Sequence, residues 1–208
     1  MTRESKVPTP TLERLAAYLR HLNDLDCREV ETISSANIEE ATGINAAQFR
    51  KDLSYFGEFG RPGIGYNVHD LQRRIARILK VDKEQPVLLV GAGNLAAALL
   101  GYSGLRRHNF NIVAVFDNDP EKIGARFWDL EILDVEQIRT SNEEFRARMA
   151  ILAVPARAAQ GAAGVLVEAG VKVILNFAPT PLHVPSGVAV REVCFIQELT
   201  VLSYHLEG

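Results

Sequence analysis

Apolar residues return every three or four positions at Leu12, Leu15, Ala16, Leu19 and Leu22, which predicts an amphipathic helix from a Thr11 cap to about Leu25. A shorter helix follows a Ser34-Ser35 cap, with Ile38 and Ala41 on its apolar face, and Gly43 ends it. Only Gly43-Ile44 separates it from a third helix, capped by Asn45 and running Ala46 to Tyr55, whose Phe49 and Leu53 share an inner face with Phe56. Four glycines and a proline break the run from Gly57 to Val68, so this stretch reads as a two-stranded hairpin. A fourth helix, Leu71 to Leu79 behind an Asp70 cap, turns Leu71, Ile75 and Ile78 inward and Arg73, Arg74, Arg77 and Lys80 outward. Its basic face reads as solvent contact or interdomain pairing.

From Val87 the pattern changes. Val87 to Val90 is a continuous apolar run, the mark of a strand buried on both faces. Ile112–Phe116, Met149–Val154, Val171–Phe177 and Val188–Arg191 repeat it, with helices beginning at Ala96 and spanning Ala158 to Ala169. Strands alternating with helices predict an α/β fold with a mostly parallel, doubly wound sheet that takes its ligand at the carboxyl ends of the strands. Val154-Pro155 and Asn176-Phe177 end two such strands, where they can line a ligand or simply pack. Val193, Ile196, Leu199, Leu202 and Leu206 then form an apolar stripe on a last helix.

Two short helices joined by a glycine-containing turn, preceded by a longer one and followed by a hairpin, form a winged helix-turn-helix pattern. The third helix leaves Gln48, Arg50, Lys51, Ser54 and Tyr55 for its outer face. Gln and Arg bond base edges, while Lys and Tyr reach phosphates, so this is the equipment of a DNA-recognition helix. A solvated face is the plain alternative, and the hairpin beside it tips the balance. Arg61 at the tip of that wing is placed to enter a minor groove or pair with phosphates.

After Val90 comes Gly91-Ala92-Gly93-Asn94-Leu95-Ala96, a G-x-G-x-x-A turn between strand and helix. The first glycine permits the turn, the second lets a pyrophosphate approach the backbone, and the small third residue lets helix pack on strand. Free N–H groups at the helix start then face an anion. Alone the triplet is a weak signal. The strand Ile112–Phe116, however, ends in Asp117, twenty-one residues beyond Ala96, where an acid takes the adenosine ribose hydroxyls of a nicotinamide dinucleotide. With Asn118-Asp119 following, a 2′-phosphate would meet negative charge, which favours NAD(H) over NADP(H).

Composition narrows the reading. The 208 residues are 47 % apolar, suiting one large or two small domains, and no apolar run approaches a membrane span. The polar, proline-broken start lacks a signal-peptide core, and Cys27 and Cys194 lie far apart without metal spacing, which fits free thiols in the cytoplasm. No metal site is expected. Net charge is −3, divided as +1 over residues 1–80 and −4 over 81–208, an asymmetry in the right direction for an N-terminal DNA-binding part but small. A nicotinamide-dependent oxidoreductase would need a proton donor and a substrate domain. The chain after the glycine turn has room for the sheet and one helix, and the nearest candidate acid, His183, sits in a proline-rich loop that reads as surface, so no catalytic residue is assigned. Cys194, with no cationic neighbour in sequence, reads as a buried, inert thiol.

The string from Phe49 through Arg50-Lys51-Asp52-Leu53-Ser54-Tyr55-Phe56-Gly57 to Gly60, the wing ending Gly63-Ile64-Gly65-Tyr66, the glycine turn, Phe116 to Gly124, and Ile174 to Pro179 together resemble the Rex family of redox-sensing transcriptional repressors, from about Val7 to Leu206. The resemblance implies a homodimer of chains with a winged-helix DNA-binding domain (1–80), a linker (81–85), a Rossmann NAD(H)-binding domain (86–191) and a C-terminal helix (192–208) exchanged between subunits. It implies repression at inverted-repeat operator DNA, relieved when NADH binds. By position, Arg50, Lys51 and Tyr55 become recognition-helix contacts and Arg61 a wing contact. Gly91 to Ala96 hold the pyrophosphate, Asp117 takes the ribose, and Tyr102 belongs to the switch on the nicotinamide side. Three residues depart from the family pattern: Ala96 for the third glycine, Pro62 in a basic pair at the wing tip, and Cys194 for an acid that works with the tyrosine. The last puts at issue the discrimination between NADH and NAD⁺, or its coupling to DNA release.

Overall fold

The computed structural model describes residues 7–26, 28–60 and 63–206. The chain divides into two compact units, one up to Lys83 and one from Glu84. In the first, α1 (Thr9–Asp26), β1 (Thr32–Ile33), α2 (Ser35–Thr42), α3 (Ala46–Ser54), β2 (Tyr66–Asn67) and α4 (Val68–Ile78) enclose one core around Leu15, Tyr18, Leu22, Ile38, Phe49 and Ile75. α1 starts before the expected Thr11 cap, and its buried stripe is Thr11, Leu15, Tyr18, Leu19 and Leu22, leaving Leu12 and Ala16 outside. Two polar residues can occupy the inner face because Thr11 Oγ1 and the Tyr18 hydroxyl both donate to Asp52. Ser34 caps α2, accepting from the Asn37 amide at 3.1 Å, and Gly43 ends it at φ +70°.

The wing departs from the expected hairpin. β2 pairs antiparallel with β1, Thr32 opposite Asn67 and Ile33 opposite Tyr66, and among the described residues no strand forms over Gly57 to Gly60. Gly57 and Gly60 hold φ of +109° and +71°, a conformation that cannot sustain a ladder. Gly65 lies so close to β1 that a Cβ there would stand 2.7 Å from the Ile33 carbonyl oxygen. α4 begins earlier than expected, since Asn67 rather than Asp70 is its cap, Oδ1 accepting from the Asp70 amide at 2.8 Å. Nor is its basic face all solvent contact. Arg74 donates to the Glu58 carbonyl at 2.8 Å and lies 3.8 Å from the Phe59 ring centroid, bracing the base of the wing.

The second unit runs β3 (Gln85–Val90), α5 (Asn94–Gly101), α6 (Gly104–Arg107), β4 (Phe110–Asp117), β5 (Arg126–Phe127), β6 (Leu130–Asp134), α7 (Ile138–Phe145), β7 (Met149–Leu152), α8 (Ala156–Glu168), β8 (Val173–Asn176), β9 (Ala189–Glu192) and α9 (Phe195–Ser203). The sheet order is β5-β6-β4-β3-β7-β8-β9, all pairs parallel except the β5–β6 hairpin. The order reverses between β3 and β7, each the partner of the other, which opens a crevice at their carboxyl ends. Leu88 and Val90 face the core that includes α7 and α8, and Val87 and Leu89 the core that includes Ala96 of α5. The β5–β6 hairpin and α7 have no sequence signal comparable to the long strands, being short or polar.

Candidate functional site

On α3 the exposed polar side chains are Arg50, Lys51 and Ser54, and Tyr55, which caps its C-terminal end, is 45 % accessible. Arg50 Nη1 donates to Ser35 Oγ at 2.8 Å, so the start of α2 steadies it while leaving it at the surface. Gln48 is half-buried, and its amide Nε2 donates to Asp52 Oδ1 at 2.8 Å. Arg61 and Pro62 of the wing, with Cys27, lie outside the described residues.

Asp52 is the residue that the outward-facing reading of α3 passed over. It is fully buried and receives Arg14 through Nε at 2.6 Å and Nη2 at 2.7 Å, together with Thr11, Tyr18 and Gln48. Phe49, Asp52, Leu53 and Phe56 are spaced as one helix face, so the periodicity itself places this acid inside. Burial pushes its carboxyl up, but the Arg14, Gln48 and Tyr18 donors outweigh burial and hold it below the ordinary value. The Tyr18 phenol goes the other way, raised by burial and then by the carboxylate it donates to.

A carboxyl with a depressed folded-state pKa contributes its full stability above the unfolded-state value of about 3.9 and loses it as pH falls through the folded value. Thermal unfolding of wild type and Asp52→Asn between pH 7 and 3 is expected to show the variant weaker by about 3–5 kcal/mol at neutrality, with the gap narrowing below pH 4. Equal acid slopes would remove Asp52 from the acid limb. Comparing the two proteins matters because Asp117 is depressed as well.

At the glycine turn, Gly91 (φ +100°) fits against the loop after β7: a Cβ there would meet the Ala153 carbonyl, 2.8 Å from its carbon, and Val154 Cγ1 at 3.0 Å. Gly93 is different. Its φ of −107° suits any residue, and nothing lies within 4 Å of where its Cβ would be. The protein's own packing does not require glycine at 93, and the open space there is what a pyrophosphate would fill. No side chain caps α5, and the Ala97 amide is the first of this end to reach back, to the Gly93 carbonyl at 3.0 Å. Asn94 is exposed, Leu95 half-buried and Ala96 fully buried, so the methyl of Ala96 enters the core rather than the ligand space.

Asp117 closes the turn from the adjacent strand. Its Oδ2 accepts from the Ala92 amide at 2.8 Å and from Lys122 Nζ at 3.1 Å, and its Oδ1 from the Asp119 amide at 3.0 Å. Burial raises its carboxyl, and these donors more than reverse the effect, so it is ionised well below neutrality. The acid therefore pins the turn through Oδ2 and keeps acceptor capacity on Oδ1 for a ribose hydroxyl. Lys122, 3.7 Å from Asp119 as well, was not legible in the sequence. It offsets part of the charge on Asp117 and Asp119, leaving this corner with net negative charge, which still disfavours a 2′-phosphate.

The remaining predicted residues divide. Val154 and Pro155 follow β7 beside Gly91, at the crevice. Asn176 is buried with its amide committed, Nδ2 to the Thr180 carbonyl and Oδ1 from the Ala178 amide, so it shapes the loop after β8. Phe177 bonds back to Leu152 and its ring lies 6.1 Å from that of Phe195 at the start of α9. Tyr102 is not brought to the turn: it caps the far end of α5, about 12 Å of helix away, 62 % exposed and folded over Gly104. Cys194, expected to be buried, is exposed, as are the residues of α9 that follow it. Among the described residues no cluster of His, Cys, Asp or Glu could hold a metal, and no helix is long and apolar enough to cross a membrane.

Comparison with known proteins matches both units. A family model described as a putative DNA-binding protein N-terminus covers residues 6–54, and one described as a CoA binding domain covers 82–180. A redox-sensing transcriptional repressor Rex of Desulforamulus reducens is 45 % identical over 97 % of this chain and 96 % of its own. The crystal structure of RSP in complex with β-NAD⁺ and operator DNA superposes with a TM-score of 0.90 at 36 % identity, covering 97 % of this chain and 93 % of RSP. RSP in complex with β-NADH gives 0.85 at 35 % identity, covering 97 % and 94 %.

Proposed function

The chain belongs to the Rex family of redox-sensing transcriptional repressors, and on that premise we propose that it binds inverted-repeat operator DNA as a homodimer and leaves it when NADH binds. The observation that carries the ligand half is Gly93, open to space beside an uncapped helix start, with Asp117 holding the turn in shape. Gly91 to Ala96 would take the pyrophosphate, Asp117 Oδ1 the adenosine ribose, and Val154-Pro155 the side of the crevice toward the nicotinamide. The cofactor supplies a redox state that the protein reads. The DNA half rests on α3, with Arg50, Lys51 and Tyr55 exposed and the helix locked by Asp52. By the family resemblance Arg61, outside the described residues, would add a wing contact.

The switch needs two global states with unequal affinity for NADH. Two α3 helices must sit one turn of DNA apart, or a multiple, and NADH would select a state in which they do not. Reversing a 1:99 population takes about 5.5 kcal/mol of differential binding, which two cofactors per dimer can share. We read the protein as a regulator rather than an enzyme: His183 stands in an exposed loop whose backbone is clamped on both sides by the Gln160 amide, and among the described residues no side chain bonds its ring. It works in the cytoplasm, where operator and dinucleotide pool meet.

The test is binding to an inverted-repeat duplex at fixed salt, titrated separately with NADH and NAD⁺. Release by NADH at concentrations where NAD⁺ leaves the complex intact is expected. An equal response to both forms would mean that Cys194 does not replace the family's acid and that discrimination is lost. Absence of duplex binding would end the repressor reading.

A further inference from the structure

We propose that Asp52 is a positioning residue that fixes which end of the Gln48 amide is offered to DNA, so that Gln48 reads an exocyclic amino group in the major groove. The inference rests on α3 being the recognition helix, as proposed above, and deepens that reading. Asp52 is fully buried, and five donors converge on its two oxygens: Thr11, Arg14 twice, Tyr18 and Gln48. An ionised carboxylate can only accept, and Arg14 at 2.6 Å keeps it ionised. The Gln48 atom facing it at 2.8 Å must therefore be the amide nitrogen. Its orientation follows from chemistry. Gln48 Oε1 has no partner among the described residues, and one amide N–H is also uncommitted.

An untethered glutamine turns either end to a base and discriminates little. Gln48 stands in the first turn of α3, the end of a recognition helix that meets base edges. With Nε2 held at Asp52, what it presents is an acceptor, which suits the amino group of adenine or cytosine. The spare N–H can add adenine N7. A keto oxygen in the same place would face Oε1 without a proton between them. Arg14 and Tyr18 lie on α1, so the helix that carries no reading residue of its own helps set what α3 reads.

The experiment uses the full chain and a library of inverted-repeat duplexes with randomised half-sites, selected by wild type and by Gln48→Met. The variant keeps the length of the side chain and removes both amide groups. Gln48→Met is expected to lose its preference at one symmetry-related position, about tenfold, and to keep the others. Duplexes with base analogues at that position then decide the orientation. Removing the exocyclic amino group should cost wild type about tenfold and the variant nothing, while removing the keto oxygen of the same pair should cost neither. Asp52→Asn, which can donate as well as accept, should lose the sensitivity to the amino group; Tyr18→Phe, which leaves the Gln48 bond in place, should keep it. Sensitivity of wild type to the keto oxygen alone, or an unchanged preference profile for Gln48→Met, overturns the inference. If Asp52→Asn binds no duplex, the analogue comparison in wild type still decides. Failure of wild type to select any duplex would instead count against the repressor reading.

Discussion

Gly91→Ala is expected to abolish NADH and NAD⁺ binding and to lower the stability of the sheet unit by several kcal/mol, while Gly93→Ala should fold normally and lose the cofactor alone. The two glycines are two residues apart and constrained by different things. At Gly91 an added methyl collides with the carbonyl after β7, and the backbone sits at φ +100°. Neither problem is relieved by rotating a side chain. A non-glycine residue in that region costs about 1–3 kcal/mol, and overpacking against backbone adds a comparable amount. Pushing β3 from β7 also distorts the crevice where the dinucleotide would lie. At Gly93 the backbone angle is ordinary and the neighbourhood empty, so alanine should leave thermal unfolding within about 0.5 kcal/mol of wild type. Its methyl occupies the space assigned to the pyrophosphate, and calorimetric titration should show at least a tenfold loss for both redox forms. Wild-type affinity in Gly93→Ala would remove the turn from the binding site, whatever Gly91→Ala does.

That contrast also shows how far the chain could be read from its residues. The glycine turn, the strand after it and the acid at the next strand end are local signals at fixed spacing, and the fold keeps all three together. The spacing could not say that Asp117 is partly spent on the Ala92 amide, because that bond joins the end of β4 to the turn after β3. Lys122 escaped for the same reason, its meaning set by a turn conformation rather than by period. On α3, the inner-face spacing that identifies Phe49 and Leu53 also includes Asp52, though nothing local marks an acid there as buried. Its partners Arg14 and Tyr18 are over thirty residues away, so no local pattern announces that the charge is matched. The wing differs from a local hairpin because β1 and β2 are two residues each and pair with one another across α2 and α3. Tyr102 shows another limit: its place at the C-terminal end of α5, 62 % exposed, follows from where that helix ends rather than from any local pattern.

Leu199→Asp is expected to convert the proposed dimer into a monomer and to lower operator affinity at least a hundredfold. α9 buries none of its residues in its own chain: Phe195, Ile196, Leu199, Val201 and Leu202 are each between 60 and 72 % exposed, and Tyr204 and Leu206 more so. An apolar surface that continuous is rarely left to water. In a two-fold assembly every substitution counts twice. Burying one leucine is worth about 1.5–3 kcal/mol, so its loss from both copies costs about 3–6 kcal/mol before the penalty of desolvating two carboxylates. The DNA consequence is larger than any lost contact. Two linked heads bind the second half-site at high effective concentration, and a monomer loses that advantage. Sedimentation should show the change in mass, and duplex binding the change in affinity; NADH titration reports whether Gly91 to Ala96 and Asp117 remain intact within each chain. A variant that stays dimeric would mean that α9 docks elsewhere. A monomer with undiminished affinity for an inverted repeat would mean that each head reads its half-site alone, and then no rotation of one subunit against the other could account for release by NADH.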